Sequence, residues 1–281
     1  MSDFLMLLAS WSIVQIFSLG PYALAQTTDA PSPPTLDAGY HQMYNLQFED
    51  AHKTFRAYQD RNPGDPLGPT SDAAVYLFSE FDRLGILESE LFTNDEKFQK
   101  RQKLTPEPAA KQGFDTAINR SELLSDRILM SSQQNSDALF AKVLNRGLRS
   151  DYLALIEKRQ LASLSYMKGA GVLAEKLLAV DPSRYDAYLA VGVENYILGL
   201  KAAPMRVMLR AYGAKTDKDQ GISNLQLTAE KGRYLLPFAR LLLAVAALRN
   251  KDTERAKELL QGLTKEFPNN KLYAKELSRL Q

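Results

Sequence analysis

Two histidines, His41 and His52, are the residues of this 281-residue chain best suited to acid-base or metal chemistry. The chain contains no cysteine, so a zinc or iron site would have to combine these imidazoles with carboxylates. No Asp or Glu stands at a spacing that would complete such a ligand set. We therefore expect two solvent-facing or groove-facing histidines, and we predict no metal and no cofactor.

The motifs of other common enzyme classes are also missing from the sequence. No glycine-rich stretch precedes a Lys-Ser or Lys-Thr pair at the spacing of a phosphate loop. No Gly-x-Ser-x-Gly turn is present, and a Ser/His/Asp site would have to use the same two histidines. Glu88 and Glu90 form an acidic pair, but their stretch has weak periodicity and would position a glycosidase pair poorly. The sequence thus predicts a protein that is not an enzyme.

The element that best organises the rest of the chain is a helical hairpin between residues 237 and 270. Apolar residues recur at helical spacing on both sides of the polar break Arg249–Asp252, and Pro268 follows the end of the second helix. Ala244 and Ala256 are small enough for two helices to cross closely at these positions.

The spacing of this hairpin resembles a tetratricopeptide repeat (TPR). Counted from Pro237 as the first position of a 34-residue unit, Ala244 falls at position 8, Ala256 at 20 and Pro268 at 32. A second good match has an aromatic residue, Tyr188, at position 4, and its position 8 is a glycine. The resemblance implies an exported all-α protein of the TPR family.

Two further stretches match the repeat in part. In the N-terminal one, Gly39 falls at position 8, Ala51 at 20 and Phe55 at 24. Gln42 stands there where an aromatic residue is usual, and Tyr58 where alanine is usual. The other stretch precedes Pro182. We therefore predict an all-α fold, a TPR-like helical-hairpin solenoid with an irregular helical middle and a helical insertion.

The irregular middle covers residues 86 to 180. We expect short helical pieces between Ile86 and Thr105, a break at Gly147, and a bend near Gly169 and Gly171, because glycine is unfavourable inside a helix. The insertion follows Gly199 and adds about eighteen residues to the 34-residue period.

Within the insertion, residues 204–212 form an amphipathic helix. We expect this helix to pack as a lid on the solenoid. The alternative is a short helix that touches a membrane surface.

The N-terminal residues predict export. Residues 1–25 contain an apolar run that ends at Ala23-Leu24-Ala25, the small-residue pattern that a signal peptidase cleaves, although Asp3 replaces the usual positive start. An uncleaved anchor is the alternative. Residues 26–36 are rich in Pro, Ser and Thr and predict a disordered leader, and residues 37–281 form the TPR-like α-solenoid domain. The expected location is periplasmic or secreted.

The charge pattern argues against a nucleic-acid partner. The formal net charge is only +2, and positive and negative residues alternate along the helices, as in Lys251-Asp252-Thr253-Glu254-Arg255. We also predict no integral membrane span after signal cleavage.

Because the resemblance is to a repeat family, it implies binding of another protein, as a peptide or helix along a concave groove. We predict a non-catalytic scaffold or adaptor in the cell envelope. The family pattern places the following residues in that groove: Tyr40, Met43, Tyr44, Val193, Asn195, Tyr196, Val245, Leu248 and Arg249. For Tyr44 and Tyr196, core packing is the competing interpretation. The alternative function is a periplasmic small-molecule or lipid carrier whose pocket is closed by the insertion.

Overall fold

A computed structural model describes residues 33–88, 100 and 102–280 of the chain, and the described residues form helices and turns with no strand. The predicted all-α class is therefore confirmed. The proposed signal peptide and residues 26–32 of the leader lie outside the described residues, as does most of the stretch 86–105. No helix in the described ranges is long and apolar enough to cross a membrane.

Twelve α-helices follow one another along the described chain, with a π-helical turn at Tyr152–Ile156 and a 3-10 turn at Tyr185–Ala187. They are α1 (Leu36–Tyr44), α2 (Phe48–Arg61), α3 (Leu67–Arg83), α4 (Pro108–Ser131), α5 (Ser136–Asp151), α6 (Gln160–Val180), α7 (Tyr188–Gly199), α8 (Ala203–Ala211), α9 (Lys218–Lys231), α10 (Leu236–Arg249), α11 (Thr253–Glu266) and α12 (Lys271–Ser278).

Local sequence signals explain where many of these helices begin. The side chains of Asn135, Asp217, Asp252 and Asn270 each accept a hydrogen bond from a backbone N–H in the first turn of the following helix. Such caps satisfy donors that have no partner inside the helix. Proline stands in the first turn of α4, α8 and α10, where its missing N–H costs no helical hydrogen bond.

The predicted breaks in the irregular middle were wrong. Helix α5 continues through Gly147, and α6 continues through Gly169 and Gly171. The chain instead leaves the α-helix at the π-helical turn and at Lys158, whose φ is 55°. Gly171 serves packing rather than bending, because a Cβ atom at this position would lie within 2.1 Å of a carboxylate oxygen of Glu194.

Helices that are consecutive along the chain pack against each other, except that α9 rather than α8 is the main neighbour of α7. The insertion helix α8 therefore stands outside the row of packed helices. In the centre of the row, α3, α4 and α5 are joined by a buried polar cluster of Thr70, Ser121 and Asn145. The Thr70 and Ser121 hydroxyls lie 2.6 Å apart, and the Asn145 amide donates to Ser121 at 2.9 Å.

The first helix also contacts the last helices of the chain. The Asn270 side-chain amide donates to the Tyr44 carbonyl at 2.7 Å, and the rings of Tyr40 and Tyr234 stack with centroids 4.9 Å apart. Residues of α1 and of α10–α12 belong to one continuous hydrophobic core. In an open solenoid each unit contacts only its neighbours. The joining of the two ends is therefore a departure from the open arrangement.

Asp186 holds the turn at residues 233–235, which forms contacts with α1. Its buried carboxylate accepts the backbone N–H groups of Arg233, Tyr234 and Leu235 at 2.8–3.0 Å. Burial raises the pKa of Asp186, and these three donors oppose that rise. The Arg233 guanidinium then forms a two-point salt bridge with Asp37 in α1, with distances of 2.7 and 2.6 Å.

We expect Asp186→Asn to lower the free energy of unfolding by about 1–3 kcal/mol, because a neutral amide oxygen replaces the charged acceptor of the three backbone N–H groups and the amide NH₂ group cannot accept the Arg233 N–H as Oδ2 does. Urea unfolding monitored by circular dichroism measures the change. Asp60→Asn removes the same charge from an exposed position in α2 and should stay within about 0.5 kcal/mol of the parent. A loss for Asp186→Asn as small as that of the control would contradict the role of this carboxylate.

The crossing of α7 and α9 is close because it is formed by two glycines. A Cβ atom added at Gly221 would lie 2.5 Å from the backbone nitrogen of Tyr196, and one at Gly192 would lie 3.1 Å from the backbone nitrogen of Leu225. Backbone atoms cannot move aside as a flexible side chain can, so these two helices depend on the absence of side chains at the crossing.

Gly221→Ala should therefore destabilise the protein by about 1–3 kcal/mol, since the helices must separate to admit the methyl group. Gly262→Ala in α11 is the matched control, because a Cβ atom there meets nothing within 4 Å. Helix propensity alone predicts that the control gains roughly 0.5–1 kcal/mol. The midpoint temperature of thermal unfolding should fall for Gly221→Ala and rise for Gly262→Ala. A shift of both midpoints in the same direction would contradict the close crossing.

Candidate functional site

The three groove residues predicted in α1 lie in the protein core. Tyr40, Met43 and Tyr44 are buried in the hydrophobic core that α1 shares with α2, α3 and the C-terminal helices. The Tyr40 hydroxyl accepts a hydrogen bond from Ser71 at 3.2 Å, and the Tyr44 ring packs edge-on to Phe78. The prediction that these side chains line an exposed groove is therefore corrected, and the competing interpretation of core packing describes Tyr44.

Three further partner-binding residues were predicted in the later repeat units: Asn195, Tyr196 and Arg249. Asn195 and Tyr196 are also buried. Tyr196 lies at the α7–α9 crossing. Asn195 donates to the Val191 carbonyl at 3.1 Å and accepts the Asp217 N–H at 3.1 Å, so its amide fastens the end of the insertion. Arg249, at the end of α10, is partly exposed. The remaining residues predicted to line the groove, Val193, Val245 and Leu248, are partly exposed as well.

A second buried polar side chain holds the end of the insertion. Glu194 accepts the backbone N–H of Lys215 at 3.1 Å, and burial raises the pKa of its carboxyl. Together with Asn195, it ties residues 215–217 to α7. The insertion is thus anchored at its C-terminal end, while α8 itself is held by fewer contacts.

The structure does not bring the two histidines together as one site. The His52 ring lies 2.5 Å from the Asp72 carboxylate and packs on the ring of Tyr76, whereas His41 packs on Phe267. Across the residues that the structure describes, no group of three or more His, Asp or Glu side chains could hold a metal ion.

Among the cavities that the described residues form, we consider two that border the core, and the insertion lines neither of them. One of about 230 Å³ lies between α1, α3 and α12, and is lined in part by Tyr44, Phe78 and Tyr273. The other, of about 370 Å³, is open and lies between α2, α3 and α4 beside Asp72 and Arg120. The alternative prediction of a pocket closed by the insertion is not what these cavities show.

Helix α8, in the insertion, presents apolar residues that the predicted groove did not include. Leu209 is its one buried residue, and it packs with Leu198 and Ala214. Four apolar side chains of the helix and the residue after it point to solvent, with exposures between 45% and 76%. We call them the α8 surface: Met205, Val207, Met208 and Tyr212. The predicted lid does pack on the neighbouring helices through Leu209, but most of its apolar side chains face solvent rather than the interior.

Positive charge surrounds the α8 surface. Between residues 195 and 216 the chain contains four basic residues, Lys201, Arg206, Arg210 and Lys215, and no acidic one. Arg210 donates to the Thr216 hydroxyl at 2.6 Å, and Arg206 donates to the Lys201 carbonyl at 3.1 Å, so both guanidinium groups are held beside α8. At 100° per residue, Met205, Met208 and Tyr212 form an apolar stripe on one side of α8, and Val207 lies on the other side with Arg206 and Arg210. The region therefore combines an apolar stripe with a basic flank.

Helix α6 supports the buried side of α8. Its residues Leu164 and Met167 pack on the buried side of α8, and the Lys168 ammonium donates to the Tyr212 carbonyl. Leu161, one turn earlier in α6, is 87% exposed. Sequence reasoning identified the amphipathic pattern of α8 but assigned the apolar side to the interior.

Comparisons with protein-family models, with curated proteins and with solved structures give no match to this chain. The function of this chain is therefore inferred from the geometry of the described residues.

Proposed function

We propose that this chain is a non-catalytic adaptor of the TPR-like class, and that it binds another protein through the α8 surface rather than through a concave groove. The carrying observation is the solvent exposure of the four apolar side chains Met205, Val207, Met208 and Tyr212 on one short helix. A soluble domain rarely leaves such a group of side chains together in water without a binding role.

The repeat-like part of this proposal is supported by the helix packing. Helices α10 and α11, which belong to the best-matching unit, are joined by three residues and pack on each other. Ala244 and Ala256 are both buried, as expected for small residues at a crossing. In the N-terminal unit, a Cβ atom at Gly39 would lie within 2.3 Å of the Phe55 ring.

The composition of α8 favours a protein partner over a membrane. Methionine, tyrosine and arginine are the residue types enriched at protein interfaces, and α8 with Tyr212 offers two methionines, one tyrosine and two arginines. Methionine side chains also adapt to different partner shapes. A nine-residue helix, by contrast, can bury little area in a bilayer.

The basic flank indicates the charge of the partner. An apolar contact bordered by Lys201, Arg206 and Arg210 is complementary to an amphipathic segment that carries Asp or Glu beside its apolar residues. We therefore propose an acidic amphipathic helix or peptide as the bound element. We also propose that this binding takes place in the cell envelope or outside the cell, since residues 1–25 have the pattern of an export signal.

The test is site-specific photo-crosslinking in cells that produce the full chain. A benzophenone amino acid at position 208 should capture one dominant protein, identified by mass spectrometry, whereas the same group at the exposed position 254 in α11 should not. Binding of the purified partner should weaken with rising salt, because the basic flank is exposed. Capture of lipid instead, with sedimentation on vesicles rich in anionic phospholipid, would assign α8 to a membrane surface.

We expect Met208→Asp to weaken partner binding at least tenfold, because it places a negative charge in the apolar contact. The free energy of unfolding should change by no more than about 0.5 kcal/mol, since the side chain is exposed. Leu123→Asp on α4 is the matched control, because Leu123 is 70% exposed and belongs to another helix. Isothermal titration calorimetry with the captured partner measures the affinity of each variant. Equal affinities for the two variants would contradict the proposed site.

A further inference from the structure

The open cavity between α2, α3 and α4 receives polar side chains from all three helices, and we call it the α2–α4 cavity. Its volume of about 370 Å³ is at the lower end of the range for pockets that bind small molecules. Residues four positions apart lie on one face of a helix, so α3 and α4 each direct a polar stripe toward this space. The polar lining consists of Gln59, Asp72, Tyr76, Gln112, Thr116 and Arg120.

One buried amide in this lining has no partner. Gln59 is only 7% exposed, and its side chain forms no hydrogen bond with any residue that the structure describes. The amide is not sealed inside the core as the hydroxyls of Tyr44 and Ser125 are, so a molecule in the cavity can reach it. Buried polar groups without a partner are uncommon because each one costs free energy.

Asp72 places a carboxylate in the same wall. The residue is 7% exposed, and its Oδ1 atom lies 2.5 Å from Nδ1 of His52. The His52 ring packs on Tyr76 with centroids 4.3 Å apart, and a Cβ atom at Gly113 would lie within 2.3 Å of the Tyr76 ring. These close contacts fix the position of the wall. The Oδ2 atom of Asp72 has no hydrogen bond with the described residues, which leaves it available to a ligand.

A positive charge lies at the rim of the cavity. Arg120 is exposed on α4, and no described residue forms a hydrogen bond or salt bridge with its guanidinium group. A second guanidinium group, from Arg56, donates to the Tyr76 hydroxyl at 3.2 Å. Asp72 and Arg120 therefore line one cavity without neutralising each other by direct contact. A molecule with a positive group at one end and a negative group at the other is complementary to this arrangement.

We propose that the α2–α4 cavity binds a small polar amino acid in its zwitterionic form. The ammonium group would donate to Asp72 Oδ2 and to the side-chain carbonyl of Gln59. The carboxylate would accept two hydrogen bonds from the Arg120 guanidinium, whose planar geometry suits such a contact. Gln112 and Thr116 would exchange hydrogen bonds with a polar side chain of the ligand. No residue of the α8 surface belongs to this site, so it is independent of the proposed partner binding.

The experiment compares three probes that differ in their charged groups, using isothermal titration calorimetry with the purified full chain. L-Glutamine carries both charges, N-acetyl-L-glutamine lacks the ammonium group, and L-glutaminamide lacks the carboxylate. L-Glutamine should bind about tenfold or more tightly than either analogue, because hydrogen bonds between charged groups are stronger than those that involve a neutral group.

Arg120→Gln should weaken L-glutamine binding by about tenfold or more and leave L-glutaminamide binding unchanged, since only L-glutamine has the carboxylate. Arg127→Gln is the matched control, because Arg127 is exposed on the same helix but does not line the cavity. Its affinity for L-glutamine should equal that of the parent. At the other end of the site, Asp72→Asn should reduce the preference for L-glutamine over N-acetyl-L-glutamine.

Three results would each overturn the proposal. The first is no binding of L-glutamine at millimolar concentration, and the second is equal binding of the three probes. The third is the same L-glutamine affinity for Arg120→Gln and Arg127→Gln. Both arginines are exposed, so this last comparison does not depend on a change in the buried wall.

Discussion

The carboxylate of Asp186 accepts three consecutive backbone N–H groups, and the position of both ends of the described chain depends on the turn that it holds. A turn with three N–H groups pointing to one side needs an acceptor there, because unpaired buried donors are costly. Once held, this turn directs Arg233 to Asp37 and the Tyr234 ring to Tyr40. A local hydrogen-bond requirement thereby becomes a contact between residues almost two hundred positions apart.

The closing contact changes what the faces of the helices can do. In an open row of helical hairpins, the first helix of each unit has one face toward the groove, and a partner can reach it. Here Met43 and Tyr44 meet residues from the C-terminal helices, such as Tyr273, and share one core with them. The face that the repeat pattern assigns to a partner is therefore used for intramolecular packing, which contributes about 1.5–3 kcal/mol for each large apolar side chain that is buried.

Helix α8 is outside this arrangement because the α7–α9 crossing leaves no room for it. The glycines at 192 and 221 allow α9 to pack directly on α7, so the segment between these helices must extend outward. Glu194 and Asn195 secure its far end by accepting backbone N–H groups of Lys215 and Asp217. Leu209 then provides the main apolar attachment of α8, and the remaining apolar side chains stay in water. The same close crossing that stabilises the row therefore leaves α8 with exposed apolar side chains.

The sequence by itself determined the helical class, and local signals in it account for many of the helix starts that the structure shows. Periodicity, capping residues such as Asp217 and Asn270, and the prolines at helix starts are local signals, and local hydrogen bonding decides the structures that they specify. Gly147, Gly169 and Gly171 misled the boundary prediction because intrinsic propensity is a weak influence that tertiary packing overrides.

Only the tertiary structure decided which helix faces are buried. An amphipathic pattern shows that a helix has an apolar side, but it does not show whether that side meets the same chain, a partner or solvent. For Tyr44 the answer depends on helices more than two hundred residues away, and for Met208 it depends on a crossing in which α8 takes no part. The cavity between α1, α3 and α12 likewise needs Tyr44 and Tyr273 in its lining, and no local spacing relates these two residues. Contacts of this kind follow from how the whole chain closes, because burial is a property of the packed assembly and not of any single segment.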